Sequence, residues 1–161
     1  MEPQKKKGRY QRIYRQLEEL LEKPGDSDAR MATVVAVLHH KMESFFWTGF
    51  YCLSKGELIV KTYQGPVACQ LLEKNTGVCW AGINKGKTIL VPDVHKFPGH
   101  IACDSRSQSE IVVPLRDTKY NIIGVLDVDS TLLNAFDNVD AEWLEKIINL
   151  IFRDQKTDSG L

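Results

Sequence analysis

No run of apolar residues in this 161-residue chain approaches the roughly 20 needed to span a bilayer. The N-terminus carries charge where a secretory signal would be greasy, so no leader is expected and a cytoplasmic setting is. Net charge is missing too. Lys and Arg number 21 against 21 Asp and Glu, which leaves no electrostatic footprint for nucleic acid. The only basic cluster, KKKGR at residues 5–9, runs into a helical pattern and reads as a solvated helix start or a frayed tail. Cysteine is sparse and unpaired in sequence. Cys52, Cys69, Cys79 and Cys103 include no C-x-x-C, which disfavours a zinc site or a thioredoxin-type motif, so no metal is expected. In a reducing compartment they do not form a structural disulfide framework either. Inert burial or redox chemistry is what remains for them. Repeats and linkers are absent, and the length suits one domain, residues 1–161, around one core.

What is present is strong patterning. Residues 9–22 set Tyr10, Ile13, Tyr14, Leu17, Leu20 and Leu21 on one helical face, and KPGDSD at 23–28 stops that helix and caps the next. Residues 29–43 repeat the pattern with Met31, Val34, Val35, Leu38 and Met42. The period then changes to two. FFWTGFYCL and ELIVKTYQ predict strands joined by SKG. NTGVCWAGINKGK reads as a loop with a short helix, and TILVPDV as a short strand ended by Pro92. EIVVPLR and NIIGVLDVDS predict strands joined by DTKY. A last helix begins near FDNVDAEW with Asp137 as its N-cap, and buries Leu144, Ile147, Ile148 and Ile151. Residues 154–161 read as a disordered tail. Hairpins favour an α+β fold, a mainly antiparallel sheet with helices packed on one face. The middle loops are then left to cover the other face and enclose a ligand pocket.

Side chains alternate along a strand, so Asp127 and Asp129 share one face while Ile122, Leu126 and Val128 face the core. If DTKY closes a regular hairpin, Glu110 falls opposite Asp127, and a one-residue slip would turn it to the other face. Three carboxylates so clustered cannot all stay ionised cheaply, and one is pushed toward its protonated, proton-donating form. Trp47, Gly49 and Tyr51 share a face of the first strand, and a glycine between two rings predicts an aromatic notch for a methyl or sulfur group. The bland alternatives are a solvated strand end and ordinary core aromatics. Cys52 alternates onto the face opposite Trp47 and reads as a buried small hydrophobe. Cys69, Cys79 and Cys103 lie in loops or at element ends, and thiol attack followed by disulfide resolution needs two that can meet. His95 and His100 stand close enough in sequence to Cys103 to tune a thiolate, or are plain surface histidines.

The stretches WTGFY, QGPVAC, GVC, VPDVHKFPGHIACDS, SEIVVPL and IGVLDVDS resemble the free methionine-(R)-sulfoxide reductases, single-domain enzymes of GAF-type fold. The resemblance spans residues 10 to 152, with Trp80 departing from a glycine frequent in the family. It implies a GAF-like fold and a thiol-dependent reductase of free methionine-(R)-sulfoxide with no bound cofactor. By the same resemblance Cys103 is the nucleophile, and Cys69 and Cys79 are its redox partners in an order left open. Glu110, Asp127 and Asp129 are substrate carboxylates, with Glu110 or Asp129 as the proton donor. Trp47 and Tyr51 surround the substrate's methyl end. The implied external reductant is thioredoxin, itself NADPH-linked, and the state is compatible with a homodimer. The alternative is a non-catalytic GAF sensor of a small molecule or of thiol redox state.

Overall fold

The computed structural model describes residues 1–100 and 103–153. The tail at 154–161, expected to be disordered, lies outside the described residues. Helices α1 (Pro3–Leu20) and α2 (Ser27–Lys41) precede strands β1 (Trp47–Ser54), β2 (Glu57–Gln64) and β3 (Leu71–Leu72). Helix α3 (Gly77–Lys85), strands β4 (Ile89–Val91), β5 (Ser109–Arg116) and β6 (Ile122–Ser130), and helix α4 (Asn138–Ile148) follow. The strands form one antiparallel sheet in the order β3-β2-β1-β6-β5-β4.

One face of the sheet carries the main apolar core. Phe50, Leu126, Val128, Ile111 and Val113 meet Tyr10, Ile13 and Leu17 of α1, Val34, Val35 and Leu38 of α2, and Leu144 and Ile147 of α4. Fully burying one such side chain contributes about 1.5–3 kcal/mol, more than a helix cap's ~1 kcal/mol, so the stripes decide the helices and the caps set their ends. Asp26 caps α2 by accepting from the Asp28 amide, and Asp137 caps α4 in a reciprocal box with Asp140. Cys52 lies in this core, as its alternation requires. The opposite face is covered by α3 as well as by loops, with Val78, Cys79 and Trp80 packed against Val112, Val125 and Tyr51.

Helix α1 starts six residues earlier than its apolar stripe, at Pro3 rather than residue 9. The reason is electrostatic. Lys6, expected to be solvated, is only 6 % exposed. Its Nζ donates to Asp140 Oδ2 at 2.7 Å and to Asp137 Oδ2 at 3.3 Å, and the Tyr10 hydroxyl donates to the other oxygen of Asp140. Burial raises the Asp140 carboxyl above its ordinary range, against the Lys6 and Tyr10 hydrogen bonds. A buried charge of this kind persists only when paired. Leu20, read as core, is exposed at the end of the helix.

The β5–β6 register also differs from the simple reading. Glu110 stands opposite Asp129, and Asp127 opposite Val112. Two extra residues cause the offset. The loop runs from Asp117 to Asn121, with Tyr120 at φ 66° and the Asp117 carboxylate accepting from the amides of Lys119 and Asn121. A bulge follows, since Arg116 pairs with Ile122 but Leu115 with Gly124. One insertion would have turned Glu110 away from the aspartates, whereas two restore its face. The bulge also puts Ile123 against the main core in place of Ile122.

Replacing Lys6 by Met should cost about 3 kcal/mol of unfolding free energy, because Asp140 is left buried without its cation. Lys7→Met, exposed on the same helix, should change stability by less than ~0.5 kcal/mol. Urea titration of the two variants measures the difference.

Candidate active site

The second face gathers the chemistry. Central strand β6 carries Asp127 and Asp129, β5 supplies Glu110 beside Asp129, and β1 sets Trp47 on the other side of Asp129 and Gly49 beside Asp127. Glu110 and Asp127 are buried, at 5 % and 6 % exposure. Burial drives the Glu110 carboxyl up to about 8, reinforced by the neighbouring Asp129. Burial likewise pushes Asp127 and Asp129 well above the usual carboxylate range, with Glu110 adding repulsion on the first and Asp127 on the second. The three carboxylates therefore share one face as expected, and burial and mutual repulsion push them toward the protonated form, although Glu110 faces Asp129 directly rather than Asp127.

Helix α3 brings Cys79 to the same cluster. Gly82 makes this possible, because a Cβ there would lie 2.7 Å from Val112 Cγ1, the residue paired with Asp127. The helix thus sits close on the sheet, and Cys79, one turn earlier on the same helix face, reaches Asp127. Its position near the helix N-terminus favours a thiolate by at most about 1 kcal/mol. Burial first, then Asp127, Glu110 and Asp129, outweigh that and raise the thiol well above its ordinary value. Trp80 turns into the apolar cluster on this face, where its Nε1 donates to the Leu72 carbonyl at 3.4 Å, and it is not among the residues lining the cavity over the acids.

The aromatic wall differs from a notch open at Gly49. The Trp47 ring folds back over Gly49, where a Cβ would collide with both Trp47 and Tyr63. Trp47 stacks between Tyr51, at 5.7 Å, and Tyr63, at 5.2 Å. Its Nε1 donates to the Pro66 carbonyl at 3.1 Å, and the Tyr51 hydroxyl donates to the Cys69 carbonyl at 3.0 Å. The two rings therefore hold the loop that carries Cys69. Tyr63 and Gly82 went unassigned by the sequence. The i, i+3 spacing of Cys79 and Gly82 was the available signal for the second.

Cys103 is disulfide-bonded to Cys69, with 5.6 Å between the Cα atoms, while Cys79 remains a free thiol. The loop around Cys103 is fastened at both ends. His100 Nε2 lies 3.5 Å from Glu110 Oε1, and burial lowers the imidazole's pKa. Arg106 binds the Asp104 carboxylate through Nε and Nη2 at 2.9 and 2.7 Å and lies over the Phe46 ring. His95 shows no resolved tie to this cluster. Trp47, Tyr51, Cys79, Cys103, Glu110, Asp127 and Asp129 all line one cavity of about 50 Å³.

No protein-family model matches the chain. Several characterised proteins do. It is 39 % identical over 120 residues to the free methionine-R-sulfoxide reductase of Escherichia coli (strain K12), covering 74 % of this chain and 72 % of that protein. The crystal structure of free methionine-R-sulfoxide reductase from Neisseria meningitidis in complex with its substrate superposes with a TM-score of 0.83 at 40 % identity, covering 88 % of this chain and 85 % of that one. A putative GAF sensor protein from Burkholderia vietnamiensis superposes with a TM-score of 0.87 at 36 % identity over 97 % of this chain and 99 % of its own. With a GAF fold, three clustered acids beside a cysteine pair, and this degree of likeness along most of its length, the chain belongs to the free methionine-R-sulfoxide reductase family.

Proposed function

We propose that this protein is an oxidoreductase that reduces free methionine-(R)-sulfoxide to methionine. The observation that carries the reading is the shared cavity, in which Cys103 and its disulfide partner meet Glu110, Asp127 and Asp129. In the reaction, the Cys103 thiolate attacks the electrophilic sulfur. A neutral acid of the Glu110–Asp129 pair protonates the departing oxygen. With a second proton the S–O bond breaks and the oxygen leaves as water, so that the Cys103 sulfur is bonded to a sulfonium. Water then attacks the Cys103 sulfur, the S–S bond breaks with its electron pair passing to the substrate sulfur, and methionine leaves while Cys103 is left as a sulfenic acid. The Cys69 thiol condenses with it, releasing water and forming the disulfide. A thioredoxin-like dithiol, recharged from NADPH, then reduces that bond.

The carboxylates also account for selectivity. Asp127, with a carboxylate neighbour, binds the α-ammonium that a free amino acid has and a residue inside a peptide lacks. That cation supplies the charge whose absence keeps the acids protonated. Trp47 and Tyr51 offer the aromatic surface for the S-methyl end. Of the two partner thiols, Cys69 is the resolving one in this reading, because it is bonded to Cys103. Cys79 lies with Asp127 on the binding side. A thiol redox sensor would form the same disulfide, and turnover separates the two readings.

Supplied with thioredoxin, thioredoxin reductase, NADPH and free methionine-(R)-sulfoxide, the wild type should consume NADPH and Cys103→Ser should not. Wild-type inactivity rejects the enzyme. Cys69→Ser should release one methionine per chain and then stall, as seen in single-turnover quench. Glu110→Gln should lower kcat by about 10²–10⁴-fold if it is the donor, and unchanged turnover transfers that role to Asp129.

The Cys69–Cys103 bond ties the Cys103 loop beside the acids, so the oxidised protein should bind free methionine more weakly than the reduced one, and dithiothreitol should restore binding. Calorimetry checks both states. The acids also tie stability to pH. Glu110's folded pKa, about 8, exceeds its unfolded value near 4.3, so its contribution is full below ~4.3 and declines as pH rises to about 8. The Tm of the oxidised wild type should fall across that window, and Glu110→Gln should flatten the fall.

A further inference from the structure

Cys79, Glu110 and Asp127 form a constellation that the sulfoxide chemistry does not use as such. The Cys79 sulfur and one carboxylate oxygen from each acid all lie within 4.8 Å of one another. Each residue is more than nine-tenths buried, with exposures of 5 %, 5 % and 6 %. Asp127 Oδ1 is buried in the cluster with no hydrogen-bond partner among the described residues. An orphaned buried acceptor of this kind calls for a ligand or an ion.

We propose that the closed, disulfide-bonded protein binds one zinc ion through the Cys79 thiolate and the Glu110 and Asp127 carboxylates. Thiolate and carboxylate are both ordinary zinc donors, and a four-coordinate site with three protein ligands keeps one position open. The thiolate selects against magnesium and calcium, which take oxygen donors. His100 Nε2, 3.5 Å from Glu110 Oε1, or a water completes the fourth position. Two further observations fit a cation here. The three donors line a cavity that gives an ion room beside them. The Cys69–Cys103 bond removes the other loop thiols from competition and leaves Cys79 reduced and ready to ligate. The spacing of the three donors, 31 and 17 residues apart, explains why no short motif announces the site. A dication supplies the positive charge that three crowded acids lack, as the substrate's ammonium does in the reductase reading. Zinc is therefore an inhibitor that occupies the substrate's carboxylates. That consequence rests on the reductase reading, whereas the binding does not.

The test uses the oxidised full chain, with cadmium as the spectroscopic probe and zinc as its competitor. Cadmium should produce a sulfur-to-metal charge-transfer absorbance that saturates at one equivalent and is reversed by zinc. Cys79→Ser should abolish the band, Cys52→Ser should keep it, and Asp127→Asn should weaken cadmium by about 100-fold. Circular dichroism confirms that each variant is folded. No band in the oxidised wild type, or a band that survives Cys79→Ser, overturns the site. In the reduced protein, free methionine should raise the apparent zinc dissociation constant. Zinc binding untouched by methionine upholds the site and instead defeats the assignment of these acids to substrate.

Discussion

Three carboxylic acids on one dry patch of sheet cannot all be ionised, and the rest of this molecule is arranged around that constraint. Asp127 and Asp129 alternate onto the same face of β6, and Glu110 joins them from β5. Each loses its water through burial, and each repels its neighbour once charged. Both effects push the acids toward their protonated forms. The folded protein thereby stores proton donors at neutral pH, where free carboxylic acids would be spent. The same protons make the site a sensor of positive charge, because any buried cation releases them. An ammonium group and a metal dication are alternative solutions to one electrostatic problem.

The scaffold keeps the patch dry from three directions. Helix α3 lies close to the sheet because Gly82 has no side chain to hold it off Val112. The aromatic stack of Tyr51, Trp47 and Tyr63 closes the β1–β2 side and fastens the Cys69 loop by two hydrogen bonds to its backbone. The Cys103 loop closes the top, bonded to Cys69 and reaching Glu110 through His100. Stability for all of this comes from the other face, where α1, α2 and α4 bury the main core. A site that carries uncompensated acids is costly, and separating it from the core by the thickness of one sheet confines that cost.

Much of this was legible in the chain. Period-two alternation placed Trp47, Tyr51, Asp127 and Asp129 on one face and Cys52 on the other, because side-chain direction in a strand depends only on parity. Parity also rescued Glu110, whose partner was misread by two residues. Loop length and a bulge at Ile123 are set by local turn chemistry, with Asp117 bonding the loop amides, and a four-letter turn signal does not count such residues. The start of α1 was hidden for a different reason. Lys6 is held by Asp140, 134 residues away, and no local pattern encodes a distant counter-ion. The family resemblance named three redox cysteines but could not sort them. Only three-dimensional proximity divides Cys69, bonded to Cys103, from Cys79, packed on Asp127.

That division gives the reaction a direction. In the proposed reaction, the amino acid enters while the Cys103 thiol is free, and the acids supply the proton its oxygen needs. In the disulfide form the bond to Cys69 ties Cys103 beside the acids, in the cavity that both line. On the proposed reaction, that tie would hinder methionine from re-entering to be oxidised in reverse, and a second sulfoxide from entering before the thiols are restored. On that reading a covalent bond, rather than a mobile lid, would couple access to the pocket to the redox state of the proposed nucleophile. A chain in which Cys79 had been the partner of Cys103 would place the bond inside the acid cluster and break the contact with Asp127. Resolution by Cys69 leaves the binding side intact, so that reduction alone returns the protein to its starting state.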